Sequence, residues 1–485
     1  MLNQHYRAIY KHAYVLGLAT VAVGALSVGS ANAALDKTTY AGENVVITDK
    51  NSAEIKTGDK AGGFILGQKG GTVTINDKGS LTTAAGAAGH FYTEADVVLN
   101  KGASLTFNGE AGKGYGLVGL LPVDGQSDAT TVANGPQVGS LTANGGTITL
   151  NKSQIQMKNV TLDGGTTVTI SGDIKTAPNS DWSDMSQITA QGSASENGGI
   201  LTINKATVEL GEGSVLNGNK IDINDGAAIT MKGTAAAGTR SIIRTYGGGT
   251  ANLNGGKISV DATGKGTAIR SANINITGTE LAVAKDGTLD IAGALSGSKN
   301  YDQGDVGAVN LTMTGGKIDN AGTLNLGKAG QDDKFAFNDG TIANTGTINL
   351  DGEALFAKTE LFGGVFGTKD KAGKLVLEEG SKVSVNGDVD LTKNGLGFVA
   401  DGTGNLTDTK LAVTNSATLD VAGKATLGEQ YANSLLLNAD SVDAAGKVLL
   451  SGDFTVADTN LKFFAATGGG NVTICLLYTS DAADD

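Results

Sequence analysis

Asp339–Gly352 reads DGTIANTGTINLDG. Two short strands sit in it, Gly340-Thr341-Ile342 and Gly346-Thr347-Ile348-Asn349-Leu350, each introduced by Gly-Thr. Apolar residues alternate with Thr and Asn, the period-two pattern of a strand with one buried and one solvated face. Gly and Asp at the ends supply the turns. The unit recurs loosely at Gly71–Asn76, Ala103–Phe107, Gly146–Asn151, Thr166–Ile170 and Ile200–Asn204. It returns at Gly287–Ile291, Gly322–Leu326, Val383–Asn386 and Ala417–Val421.

Equivalent strands fall mainly 20 to 24 residues apart. Ile148 to Val168 is 20, Leu201 to Ile221 is 20 and Leu324 to Ile348 is 24. One repeat of that length is one coil of a solenoid, which cannot bury its apolar face alone and stacks on its neighbours. The expected fold is all-β, a right-handed parallel β-helix (β-solenoid) of 20–24-residue coils over 34–474. About 20 coils at the ~4.8 Å strand spacing make a rod of roughly 100 Å. A series of β-sandwiches is the competing architecture, but it calls for turns every ~8–12 residues and a heavier aromatic core. Two stretches break the pattern, 109–136 and 177–197, the second carrying Pro178, Trp182 and Met185. Both read as loop insertions.

Composition agrees with thin, repeated cores. Gly is 74 of 485 residues, about twice the usual ~7% share. Aromatics are 5% and charged residues 18%, with only 3 Pro. The net charge is −13, and no basic tract of the kind nucleic acid requires is present.

Residues 1–33 read as a secretory signal peptide with a helical apolar region. Arg7 and Lys11 form the basic part, an apolar stretch runs from Ala13 to Val28, and Ala31-Asn32-Ala33 is a small-residue cleavage site with the cut before Ala34. The apolar stretch is short of the ~20 residues a spanning helix needs. Without these residues 34 basic side chains face 49 acidic ones, a net charge of −15. The basic part keeps Asn3, Tyr6, Arg7, Ile9, an aromatic at Tyr10 and then Ala13. In this it resembles the extended signal segment of type V secretion proteins, the autotransporter adhesins of Gram-negative bacteria. It departs from that pattern in having Gln4 where Lys is usual and Tyr10 where Trp is usual.

The resemblance implies a passenger exported through the inner membrane and displayed at the outer membrane or cell surface. It also implies an outer-membrane translocator following in sequence, and a glycan or protein ligand on a host or cell surface. The last residues, Cys475 to Asp485, share neither the alternation nor the Gly/Thr usage before them. They resemble a translated sequencing-library adapter, so 475–485 is read as non-native and the natural chain as longer. Cys475 is the single cysteine, and setting it aside removes disulfides, thiolate metal sites and thiol catalysis.

Chemistry-bearing patterns are few. His90 is the one histidine after the signal segment, without a His or Cys partner for a metal site or a triad. Gly114-Tyr115-Gly116-Leu117-Val118-Gly119 matches the dinucleotide-binding glycine string but follows no clear strand and opens no helix. Asp222-Ile223-Asn224-Asp225-Gly226 resembles a calcium loop that lacks its terminal Glu. No cofactor, metal or catalytic residue is assigned. The strongest enzyme candidate is a group of three residues, Arg240, Arg244 and Arg270, the only arginines after the signal segment. Solenoid enzymes acting on polysaccharide use an Arg beside carboxylates, and Asp222 and Asp225 lie about one coil earlier. Three functions therefore stand from the sequence: a structural or adhesive passenger, a secreted β-helix enzyme acting on polysaccharide, and a two-partner secretion exoprotein. The last lacks its Asn-Pro-Asn-Gly hallmark.

Overall fold

The computed structural model describes residues 44–357 apart from 57–63, 88, 110–115, 122–135, 173–185, 193–198, 236–238, 295–305 and 329, together with Leu361. Beyond these it describes only the backbone of short strands. The signal segment with its helix and its cleavage residues Ala31, Ala33 and Ala34, and the tail 475–485, lie outside the described residues.

Among the described residues every element is a strand, and 38 strands join in one hydrogen-bonded network. All pairings in that network are parallel; the antiparallel pair is Gly367–Thr368 with Lys371–Ala372. Parallel strands need a connection that returns to the same end, and here the return path is two further strands. Each coil thus has three sides. Val45–Ile47, Ala53–Ile55 and Phe64–Gly67 begin the first, second and third faces of the rod. Each strand then pairs with the strand that takes the same place in the next coil, such as Val45 with Val73, Ala53 with Leu81 and Phe64 with Phe91.

The three sequence spacings are registered pairs: Ile148 opposite Val168, Leu201 opposite Ile221, and Leu324 opposite Ile348. Alternation decides which side chains point in. Strand Thr347–Leu350 has Ile348 and Leu350 buried and Thr347 and Asn349 partly exposed. The buried ladders merge into one core running from Val45 to Leu361. Aromatic rungs stack within it, Phe64 on Phe91 at 5.5 Å between ring centroids and Phe337 on Phe356 at 4.8 Å. Each such buried side chain contributes about 1.5–3 kcal/mol by leaving water.

In the opening stretch, the first strand is longer than its sequence signal. Strand Lys334–Asn344 runs unbroken around a corner, with Phe335 and Phe337 on the first face and Ile342 on the second. Thr347–Leu350 follows on the third face. The two Gly-Thr strands are consecutive sides of one coil and do not pair with each other.

The rod has fewer coils than expected. The first face carries sixteen rungs from Val45–Ile47 to Asn471–Ile474, about 70 Å of stacking at ~4.8 Å each. The shortest coils match the repeat, with Leu141 opposite Val160, but Val97 lies opposite Leu141 and Ile274 opposite Leu311. Inserted segments lengthen those coils without adding a rung.

These segments avoid one of the three corners. The corner between the first and second faces takes at most five residues, as from Ile47 to Ala53. The long connections all adjoin the third face: 119–140, 172–185 and 293–309 each begin or end at one of its strands. The two stretches read as loops are each split by a third-face rung. Leu117–Val118 pairs with Phe91–Tyr92, and Ser186–Ala190 pairs with Gln154–Met157. These rungs escape the sequence pattern because few inward residues mark them: Leu117 in the first, Ile188 and Ala190 in the second.

Candidate functional site

On the first two faces the outward side chains, such as Thr74, Thr142, Thr149 and Thr169, are partly exposed. On the third face many are buried. Ile65, Tyr92, Val118 and Leu120 form one apolar cluster separate from the core; Val215, Ile242 and Ala268 form another. The apolar row Val215, Ile242, Ala268 continues in register to Asp290, Asn325 and Asn349. The face therefore turns from apolar to polar at Asp290.

The arginines meet there. Arg240 immediately precedes strand Ser241–Leu253, which carries Arg244, and Arg270 ends strand Thr267–Arg270. Arg244 and Arg270 are register partners on adjacent rungs. Asp290 stands between Arg240 and Arg270: its Oδ2 lies 3.2 Å from Arg240 Nη1 and 3.7 Å from Arg270 Nη2, while Arg244 is buried. Asn325 Nδ2 donates to the other oxygen, Oδ1, at 2.6 Å, and Asn349 Nδ2 donates to Asn325 Oδ1 at 2.7 Å. Burial disfavours the charge of Arg270 and lowers its pKa; Asp290 acts against this, and the like charge of Arg240 adds to it. The side chains of Arg240 and Asp290 are each 24% exposed and that of Arg270 16%, so one edge of the cluster meets solvent.

The Asn row has a direction that its head explains. A carboxylate only accepts hydrogen bonds, so each amide above Asp290 donates toward it. Two more rows on other parts of the coil do the same. Asn252 Nδ2 donates to Asp222 Oδ1 at 2.7 Å and Asn275 to Asn252 at 2.9 Å. Asn204 donates to Asp163, Asn224 to Asn204 and Asn254 to Asn224.

Asp222 is thereby placed away from the arginines. It lies on the first face, bound to Lys220 Nζ at 2.8 Å and to Asn252. Asp225 is exposed at the corner that follows. The carboxylate that does join the arginines is 50 residues from Arg240, and its sequence signal was slight: Asp290 stands at the outward position of Gly287-Thr288-Leu289-Asp290-Ile291, where other repeats carry Thr or Asn. His90 is half-buried, with its Nδ1 shielded from solvent and its ring centroid 5.4 Å from that of Tyr92. Burial lowers its pKa to about 4, so it is a neutral packed imidazole at neutral pH. Among the described residues no group of His, Cys, Asp and Glu could hold a metal ion.

No protein-family profile matches the chain, and no curated protein matches it.

Proposed function

We propose that this chain is the passenger of an exported Gram-negative surface protein, a β-solenoid stalk with an adhesive role. Two observations support the reading. The first is the Asn3, Tyr6, Arg7, Ile9 pattern ahead of Ala31-Asn32-Ala33. The second carries more weight: a three-sided parallel solenoid whose long connections leave the corner between the first and second faces short. Two faces joined by a tight corner make a rigid support, and loops held on a rigid support are where binding residues concentrate. The coils wind right-handed in this reading, because about 98% of parallel crossover connections do. The polysaccharide-enzyme alternative pointed to Asp222 and Asp225, which lie away from the arginines; the carboxylate beside them is Asp290.

The test is to fuse residues 1–474 to an outer-membrane translocator barrel in a Gram-negative host and treat intact cells with protease. The reading expects cleavage of the passenger from whole cells and processing before Ala34. Retention in the cytoplasm with residues 1–33 attached would overturn it.

A further inference from the structure

We propose that the second face, over the coils from Ser80 to Thr207, is an ice-binding surface: a rigid lattice of Ser and Thr hydroxyls that orders water in the pattern of an ice crystal face.

Two outward columns form the lattice. Ser80, Ser104, Thr147, Thr167 and Thr207 stand in register in one. Thr82, Thr106, Thr149 and Thr169 stand in the other, two residues further along each strand. The register holds even where 109–146 separates two neighbouring strands in sequence. Rungs lie ~4.8 Å apart, and alternate residues of one strand about 6.6 Å. Beneath them Leu81, Leu105, Ile148 and Val168 are buried and fix each rung. The branched Cβ of Thr restricts its rotamers, so the hydroxyls keep their places. Thr147, Thr167 and Thr207 are exposed and the others partly exposed. Among the described residues none of these hydroxyls is bonded to another protein group. Each is left to donate to water and accept from it.

The fold does not require this pattern. Past Thr207 the same columns carry Glu209 and Ala228, then Lys257, Glu280 and Lys317, and the strands still stack. There Lys232 pairs with Glu209 and Lys257 with Glu280, both at 2.9 Å. At the other end Glu54 stands opposite Thr82. Strand propensity alone would spread Thr along the whole face. Instead the hydroxyls fill consecutive coils and are bounded by charge at both ends.

Neutrality selects the partner. An uncharged face offers nothing to nucleic acid or to an acidic polymer. Neither column carries an aromatic side chain on which a sugar ring could stack, nor an apolar anchor for a protein. The partner that fits repeats in two dimensions and presents only hydrogen-bond donors and acceptors. Hexagonal ice does so, and the oxygen rows of its prism faces repeat at distances close to both spacings of the lattice. Water held on fixed hydroxyls is ordered before it meets the crystal, so adsorption costs little further entropy. The inference goes beyond the adhesive reading and needs only the stacked coils themselves.

The test grows ice slowly through a solution of the purified full chain mixed with an unrelated soluble protein. The chain should be enriched in the ice by roughly ten-fold over its companion, and should show thermal hysteresis. Thr149→Lys places a hydrated charge at the centre of the lattice and should remove that enrichment. Thr149→Ser keeps the hydroxyl but loses the methyl and the fixed rotamer, and should retain part of it. Thr230→Lys, in the same column past Glu209, should leave it unchanged. Equal exclusion of chain and companion from the ice, or an unaffected Thr149→Lys, would overturn the proposal. So would binding to microcrystalline cellulose or chitin that Thr149→Lys removes, without ice enrichment, which would assign the face to a neutral glycan. If Thr149→Lys does not fold, enrichment and hysteresis of the unaltered chain and of Thr149→Ser still decide.

Discussion

Gly346 opens the strand that carries Ile348, and replacing it with Ala tests the stacking directly. An added Cβ would lie 2.1 Å from the carbonyl oxygen of Gly322 and 2.7 Å from the carbonyl carbon of Ala321, both backbone atoms of the coil below. Real Cβ contacts are essentially never under 3.0 Å, so the two coils must separate by about 0.9 Å at this corner if each atom keeps its direction. The hydrogen bond most affected is Thr347 N to Gly322 O, now 2.8 Å. Lengthened by that amount it passes ~3.5 Å and is lost as a bond. A broken backbone bond whose groups remain shielded costs about 1–3 kcal/mol, and overpacking adds about 1–3 kcal/mol. The expected loss is about 3 kcal/mol. Gly70→Ala is the control: its φ is +85° but nothing lies within 4 Å of the added Cβ, so only the left-handed backbone term of about 1–2 kcal/mol applies.

Because solenoid coils open locally, amide hydrogen exchange over Thr323–Leu326 and Thr347–Leu350 is the suitable assay. Gly346→Ala should speed exchange of these amides by roughly 100-fold, since each ~1.4 kcal/mol is a factor of ten. Protection within a few-fold of the parent chain, or a change no larger than Gly70→Ala gives at its own coil, would refute the close-stacking argument.

Three further outcomes are expected. His90 has its pKa lowered from 6.5 to about 4 by burial, worth roughly 3 kcal/mol. Below pH 6.5 the unfolded chain binds the proton more readily, so stability should fall as pH drops from 6.5 through about 4; His90→Gln should flatten that slope in urea titrations, and an unchanged slope would contradict the assignment. Asn252→Asp should lose about 1–3 kcal/mol at pH 7, because an ionised carboxylate cannot donate to Asp222 as the Asn252 amide does at 2.7 Å. Its deficit against the parent should shrink below pH ~4, where the new group can be protonated. Asp333 is buried and accepts hydrogen bonds from the backbone N–H groups of Val309 and Lys328, both at 2.7 Å. Asp333→Ala should cost about 2–4 kcal/mol by leaving both donors without their acceptor, read as faster exchange at Val309 and Lys328.

Much of the fold was legible because it depends on local rules. In Thr347-Ile348-Asn349-Leu350 the alternation alone assigns Ile348 and Leu350 to the core and Thr347 and Asn349 to the surface. The corner in Lys334–Asn344 was not legible, since an unbroken strand carries no turn signal there. Nor were the rungs Leu117–Val118 and Ser186–Ala190, which are short and flanked by long connections.

The candidate site divides the same way. Arg240, Arg244 and Arg270 stand out in the sequence by their rarity, and their chemistry can be named from it. Their partner cannot. Coil length varies from 19 residues between Leu141 and Val160 to 44 between Val97 and Leu141. Sequence distance therefore does not predict which residues share a row. A reading by regular spacing looks one coil back, to Asp222, which the winding places on the first face. By itself the sequence determined which side of each alternating strand faces inward, as in Thr347–Leu350, since that needs only the two-residue period of the backbone. Only the tertiary structure decided that Asp290, Asn325 and Asn349 stack in one row beside the arginines, because each inserted segment shifts where the next coil returns to the face.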